Sequence, residues 1–150
     1  MTVDFAWART PRMRVARLRW KGHWSDRKVR SQFERIERWA RTHRLATGRW
    51  VFREFGGSRW EAAIEIRRAV HGSSGVGTTT YPAADVARVV FDPDAVAPRV
   101  VYHALSDWLR WRKKEKGIRR VLGSREVYSG NPWTNHGAWA RTEVQFVVRK

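Results

Sequence analysis

The chain has 150 residues, with 31 lysines and arginines against 14 aspartates and glutamates and a formal net charge of +17. This length suits one domain with its own core. The absence of cysteine excludes disulfides and thiol chemistry, and no apolar run approaches the ~20 residues that cross a bilayer. The first twenty residues lack the apolar core of a signal peptide, so we expect a cytoplasmic protein without membrane contact.

The first half of the chain predicts one helix among three strands. Residues 1–11 have the character of a loose lead-in that ends at Pro11. Alternating and helical spacings of apolar residues then predict a strand, a helix and two strands, over residues 12–20, 25–43, 49–55 and 60–70. Ser25 is a good N-cap for that helix.

The second half predicts the same order of elements. A Gly/Ser-rich linker over 71–77 separates the halves. A strand, a helix, a short strand and a final strand are predicted over 78–91, 98–117, 124–129 and 141–148. We therefore predict an α+β fold made of a tandem βαββ repeat, 12–70 and 76–150, with an antiparallel sheet and both helices on one face.

Each half ends in a strand that carries a glutamate followed by an apolar residue, namely Glu65 and Glu143. The duplication predicts that these carboxylates occupy equivalent places about a pseudo-twofold axis, with a central ligand cleft at that axis. For Glu143 two interpretations stay open: it points to solvent or pairs with an arginine, or it faces an aromatic cleft and binds a ligand. For Glu65 we favour pairing with an arginine such as Arg67 or Arg53.

Ten tryptophans are several times ordinary usage for a chain of this length. Tryptophan offers a large rigid contact area with one polar edge, which suits flat ligands or stacked bases. Trp39 and Trp108 lie at core spacing on their helices, so we expect both to be mainly structural. The candidates for lining the cleft are Trp20, Trp24, Trp108, Trp133 and Trp139.

Five stretches, in this order, resemble the GyrI-like small-molecule-binding domain, which occurs alone and as the effector module of AraC-type and MerR-type multidrug regulators. They are residues 60–66, 81–83, 108–109, 125–128 and 142–148. The resemblance implies that Glu143 sits in a ligand cleft among aromatic side chains and that Tyr128 lines the same cleft. Stand-alone members are drug-binding or toxin-protective proteins and modulators of DNA gyrase, and some are similar to hydrolases that open the cyclopropane of DNA-alkylating natural products.

The function we expect is binding of an aromatic, DNA-directed small molecule in a tryptophan-lined cleft with Glu143 at its base, which gives resistance by sequestration. One alternative is a hydrolase in which Glu143 is the general base and Tyr128 orients water or polarises a carbonyl. Another is a basic protein that contacts DNA or gyrase through its positive charge. The five histidines show no metal spacing, and residues 72–77 lack the lysine of a nucleotide loop, so we expect no metal and no cofactor.

Overall fold

The computed structural model describes residues 3–150 and has an α+β fold with eight strands and three helices. In chain order these are β1 (Phe5–Thr10), β2 (Met13–Lys21), α1 (Asp26–Thr42), β3 (Thr47–Glu54), β4 (Arg59–Ile66), β5 (Gly77–Tyr81), β6 (Ala84–Phe91), α2 (Pro98–Arg112), β7 (Arg120–Tyr128), α3 (His136–Ala140) and β8 (Thr142–Arg149). No helix in the described part of the chain is long and apolar enough to span a membrane.

The chain divides into two compact units. We call Arg12–Pro82 the continuous unit, because it is one stretch of chain. The split unit combines the described residues up to Pro11 with Ala83–Lys150. Each unit contains a strand–helix–strand–strand series plus one additional strand, so the predicted repeat of βαββ units is confirmed.

In the continuous unit the strand order is β3-β4-β2-β5, and every pair is antiparallel. Helix α1 begins after Ser25, whose hydroxyl accepts a hydrogen bond from the Lys28 N–H at 3.1 Å. Its apolar face is buried, and Phe33 stacks on Trp50 of β3 with ring centroids 5.0 Å apart. The helix therefore covers the sheet face that carries Trp50, and the residues of opposite parity, such as Val51, point to the other face.

In the split unit the strand order is β1-β6-β8-β7, again antiparallel throughout. Helix α2 begins at Pro98, a residue whose missing N–H costs nothing in the first turn. The helix buries Val101, Leu105 and Leu109 against apolar residues of β6 and β8, including Val89 and Val144. This packing defines the helix side of the split unit.

The two additional strands differ from what the sequence predicted. The expected lead-in contains β1, which pairs with β6 from Phe5↔Val89 to Thr10↔Ala84. The single strand predicted over 78–91 is two strands, and β5 pairs with β2 instead of continuing into β6. Proline accounts for the break, because Pro82 has no N–H to donate to a strand ladder. Residues 71–81 accordingly belong to the continuous unit, and its boundary lies after Pro82.

The strand registers also change which glutamates correspond. The additional strands allow the two units to be aligned with each other. Tyr81 of β5 pairs with the first residue of β2, and Thr10 of β1 pairs with the first residue of β6, so these two first residues correspond. Six residues further along these strands, Arg19 pairs with Glu61 and Val90 pairs with Glu143. Glu61 therefore corresponds to Glu143, and the predicted equivalence of Glu65 with Glu143 is wrong by four residues.

Candidate functional site

Five strand carboxylates are buried or half-buried: Glu61, Glu65, Asp85, Glu126 and Glu143. An ionised carboxylate that leaves water is costly unless hydrogen bonds and a nearby cation replace the lost hydration. The partners of each carboxylate therefore show whether it serves the fold or has capacity for a ligand. Asp85 pairs with Arg9 at 3.2 Å; the other four are described in turn.

Glu61 is fully buried and surrounded by arginines. Its Oε1 accepts from Arg19 at 2.7 Å and from Arg17 at 3.3 Å, and Arg53 lies 3.5 Å from its Oε2. The Tyr81 hydroxyl donates to the same Oε2. Burial raises the pKa of Tyr81, and the neighbouring Glu61 charge raises it further, so the phenol stays protonated and remains a donor. With four partners in place, Glu61 serves the fold of the continuous unit.

Glu65 is buried and held by two arginines. The backbone N–H and the guanidinium of Arg49 donate to it at 3.1–3.2 Å, and Arg67 donates at 3.3 Å. Arg67 is thus a partner as expected, whereas Arg53 faces Glu61 instead. Burial alone raises the pKa of Glu65, but the hydrogen bonds and charge of Arg49, with the charge of Arg67, outweigh it, so the net pKa is lowered.

This lowered pKa makes part of the stability depend on pH. Since the unfolded carboxyl takes up its proton at a higher pH than the folded one, the contribution is complete above about pH 4.5 and is lost as pH falls through the folded-state pKa. We expect Glu65→Gln to lower the free energy of unfolding by about 1–2 kcal/mol at neutral pH. In urea titrations the difference from the parent chain should shrink as the pH falls below 4.5 and through the lowered folded-state pKa of Glu65. Exposed Glu54, replaced in the same way, should have no effect, and a Glu65→Gln cost that does not shrink as the pH falls would contradict the assignment.

Glu143 lies on the face of the split unit opposite α2, because its neighbour Val144 packs on the helix side. The side-chain amide of Gln145 donates to its Oε2, and Arg88 lies 3.9 Å from its Oε1. Arg125 in turn donates to Gln145 at 2.6 Å. Glu143 is therefore half-buried and partnered by polar groups, so its surroundings are those of a hydrogen-bonded strand residue more than those of an aromatic cup.

Glu126 lies on the helix side of the split unit, and its carboxylate is held by two tyrosines. Tyr102 of α2 donates to Oε1 at 2.8 Å, and Tyr128 of β7 donates to Oε2 at 2.6 Å. The Tyr102 ring lies 6.1 Å from that of Phe146. Among residues 3–150, no lysine or arginine nitrogen lies within 4 Å of this carboxylate, in contrast to the other four. Glu126 is thus the strand carboxylate with hydrogen bonds but without a cation.

The predicted site residues do not all come together. Tyr128 and Glu143 point to opposite faces of the split unit, because Tyr128 shares the parity of Glu126, whereas Val127 pairs with Glu143. Tyr128 is a buried residue, and its hydroxyl donates to Glu126 on the helix side. Sequence reasoning missed Glu126 and Tyr102. The alternation in residues 126–128 would have placed Glu126 beside Tyr128.

The five candidate tryptophans divide between the units. Trp108 packs on Trp7 at 5.0 Å, which supports its expected structural role, and the Trp139 indole donates to Asp94 at 3.0 Å. Trp133 is half-buried in the loop before α3. In the continuous unit, Trp24 is 52% exposed and Trp20 lies 6.3 Å from Phe52. The Trp20 indole N–H is buried and has no hydrogen-bond acceptor among the described residues.

Comparison with solved structures shows the fold. The chain matches the C-terminal domain of EcmrR with a TM-score of 0.79 at 16% identity, covering 100% of this chain and 99% of that one. In the cryo-EM structure of an EcmrR–DNA complex the match has a TM-score of 0.75 at 17% identity and covers 99% of this chain and 58% of the EcmrR chain.

Two further structures share the fold. A hydrolase from Listeria innocua matches with a TM-score of 0.67 at 9% identity over 97% of this chain and 92% of that one. SAV2435 bound to tetraphenylphosphonium matches with a TM-score of 0.54 at 8% identity, and the match covers 97% of this chain and 94% of the SAV2435 chain. The sequence itself matches no family model and no curated protein. Identities this low show a common fold, that of the EcmrR C-terminal domain, and leave function to be argued from the site.

Proposed function

We propose that the chain binds an aromatic cation, or an aromatic molecule rich in N–H donors, through the Glu126 carboxylate. The observation that carries this proposal is a half-buried carboxylate that has two tyrosine donors and no cation, in a chain of net charge +17. With 31 basic side chains available, the other four buried or half-buried strand carboxylates each have an arginine within 4 Å. A ligand cation would supply at Glu126 what arginine supplies elsewhere.

The chemistry of the three side chains fits such a ligand. A carboxylate offers about four acceptor positions, and the two tyrosines take one on each oxygen. The hydrogen bonds fix the orientation of the carboxylate and leave an acceptor position on each oxygen. The rings of Tyr102, Tyr128 and Phe146 add aromatic surface, which attracts cations through their π faces. The tetraphenylphosphonium bound to SAV2435 is an aromatic cation on the same fold and supports this ligand class.

The resemblance to GyrI-like domains gives the proposed ligand binding a biological role. A domain of this kind would protect the cell by sequestering an aromatic, DNA-directed drug, and the tetraphenylphosphonium-bound SAV2435 supports a ligand-binding role. In this proposal Glu143 is a second acidic group of the split unit, and Trp133 and Trp139 are further aromatic surface. The tryptophan-lined cleft is retained as a hypothesis about where such a drug would lie.

A second candidate is hydrolysis of a strained, electrophilic ring such as a cyclopropane. The hydrolase from Listeria innocua, which shares the fold, favours it. A carboxylate beside a tyrosine hydroxyl can remove a proton from water while the phenol orients the substrate. Both Glu126 with Tyr128 and the originally expected Glu143 are candidates for that base, and turnover distinguishes this function from sequestration.

We expect tetraphenylphosphonium to quench tryptophan fluorescence saturably. Glu126→Gln should weaken its binding about 10- to 100-fold, because the coulombic attraction between the half-buried carboxylate and the phosphonium charge is lost, whereas this probe has no N–H to donate. Glu143→Gln is the matched variant on the opposite sheet face. It should change the affinity less than 3-fold, because the Glu143 carboxylate already has Arg88 and Gln145 as partners. Glu54→Gln controls for the loss of one charge from the surface.

The same titration can contradict the proposal. If Glu143→Gln and Glu126→Gln weaken binding equally, the ligand responds to the overall charge of the protein and not to a site at Glu126. If only Glu143→Gln weakens binding, the ligand binds at Glu143, the residue expected from the sequence. Mass spectrometry of cyclopropane-bearing alkylators incubated with the protein distinguishes the two functions. Ligand recovered unchanged means sequestration, whereas a ring-opened, water-added product that disappears in one glutamine variant means hydrolysis by that glutamate.

A further inference from the structure

A second feature of the split unit is a concentration of basic side chains around the end of α2. Eight residues form what we call the basic patch: Arg112, Lys113, Lys114, Lys116, Arg119, Arg120, Arg149 and Lys150. All eight are exposed, and Glu115 is the single acidic residue within these two stretches. Among residues 3–150, no carboxylate lies within 4 Å of any of the eight. The patch thus carries a net positive charge, and its eight basic side chains form no ion pair with the described residues.

Backbone contacts bring the two stretches of the patch together. The Ile118 N–H donates to the Lys113 carbonyl at 2.8 Å, which folds the end of α2 back toward β7. The Arg119 N–H donates to the Arg149 carbonyl at 2.9 Å, and Arg120 pairs directly with Arg149 across the strands. Like charges placed opposite each other on neighbouring strands destabilise a sheet. A polyanion that lies over both would remove this repulsion.

An exposed tryptophan borders the patch. Trp111 is 77% exposed, the highest exposure among the large apolar side chains of the described residues. Asp107 lies one helical turn before Trp111, and residues 112–115, which follow Trp111 directly in the sequence, are all charged. A tryptophan in this position contributes little to packing, whereas its flat face is available for stacking.

We propose that the basic patch and Trp111 bind single-stranded nucleic acid. Lysines and arginines of the patch contact successive phosphates, and an unpaired base stacks on Trp111, which is how proteins bind single strands with little sequence preference. A duplex offers no free base face to the ring. A membrane surface fits less well, because interfacial helices present a continuous apolar face, whereas Trp111 stands among charges. This surface is separate in sequence and chemistry from Glu126.

The test is fluorescence anisotropy of a labelled oligothymidylate at several salt concentrations. Trp111→Ala should weaken binding on the order of 10-fold, as expected for the loss of one stacked base, with an unchanged salt dependence. Arg120→Gln combined with Arg149→Gln should lower the slope of log affinity against log salt by about 1.4, because each phosphate contact contributes about 0.7. Glu126→Gln should bind the oligonucleotide like the parent chain.

The matched control is Arg27→Gln combined with Lys28→Gln, which removes two exposed charges from the continuous unit. If this control weakens binding as much as the Arg120 and Arg149 pair does, the net charge and not the patch binds the strand, and the proposal fails. It also fails if Trp111→Ala has no effect, if duplex DNA binds equally well, or if the protein binds phosphatidylserine vesicles and not the oligonucleotide. Retained binding in the control together with losses in both patch variants supports it.

Discussion

Replacing Glu61 with alanine is expected to lower the free energy of unfolding by about 3–5 kcal/mol, because it leaves buried charges without their partner. Glu61 is fully buried, and the side chains of Arg17 and Arg53 are only 27% and 29% exposed. Without the carboxylate, these guanidinium groups repel each other and the Tyr81 hydroxyl loses its acceptor. Urea unfolding measured by tryptophan fluorescence gives the change in free energy directly.

A glutamate of the neighbouring strand serves as the control for this experiment. Glu54 of β3 is exposed and has no ion pair among the described residues, so Glu54→Ala should change stability by less than about 0.5 kcal/mol. Tyr81→Phe, which removes only the hydroxyl, should cost less than Glu61→Ala because the arginines keep their partner. A Glu61→Ala chain as stable as the parent would mean that the arginines turn into solvent without cost.

The second large effect is expected in the core of the split unit. Leu105 of α2 is fully buried among the residues that join the helix to β6 and β8, including Val89 and Val144. Leu105→Ala removes this contact and leaves a cavity, which costs about 2–5 kcal/mol depending on how far the surroundings relax. Thermal or urea unfolding followed by circular dichroism measures the loss.

Leu122 offers the same chemical change in a different environment. Its side chain is 47% exposed on β7, so Leu122→Ala should cost less than about 0.5 kcal/mol. Comparable costs at both positions would contradict the packing of α2 described above, because the helix would then contribute little buried area at Leu105.

The repeated order of elements could be predicted from the sequence because hydrophobic period and capping are local signals. Ser25 and the apolar spacing after it gave α1, and Pro98 marked the start of α2. β1 was missed because its alternation of large and small side chains is short and weak. Phe5 and Trp7 alternate only with Ala6 and Ala8, which is little signal for a strand at the edge of a sheet. Its partner lies far away in sequence, and pairing at such a distance leaves no local signal.

The candidate site was predicted only in part, for a related reason. Glu143 was singled out by its aromatic neighbours in sequence, but a strand sends successive side chains to opposite faces. Tyr128 was identified through a family resemblance, whereas Tyr102, which donates to the same Glu126 carboxylate, lies on a helix more than twenty residues earlier. Glu61 was missed as the counterpart of Glu143 because that correspondence depends on strand register, which the sequence pattern alone does not fix when the strands are rich in apolar residues.

The pairing of β1 with β6 has a consequence for how the chain is made. Thr10 and its partner Ala84 are 74 residues apart, and the whole continuous unit lies between them. During synthesis from the amino terminus, β1 leaves the ribosome before its partner β6 exists, whereas the four strands of Arg12–Pro82 pair with one another in the order β3-β4-β2-β5 and can come together earlier. A fragment that begins at Ala83 would lack the Phe5 and Trp7 rings that pack on Trp108. An amino-terminal truncation would therefore act on the carboxy-terminal half of the molecule.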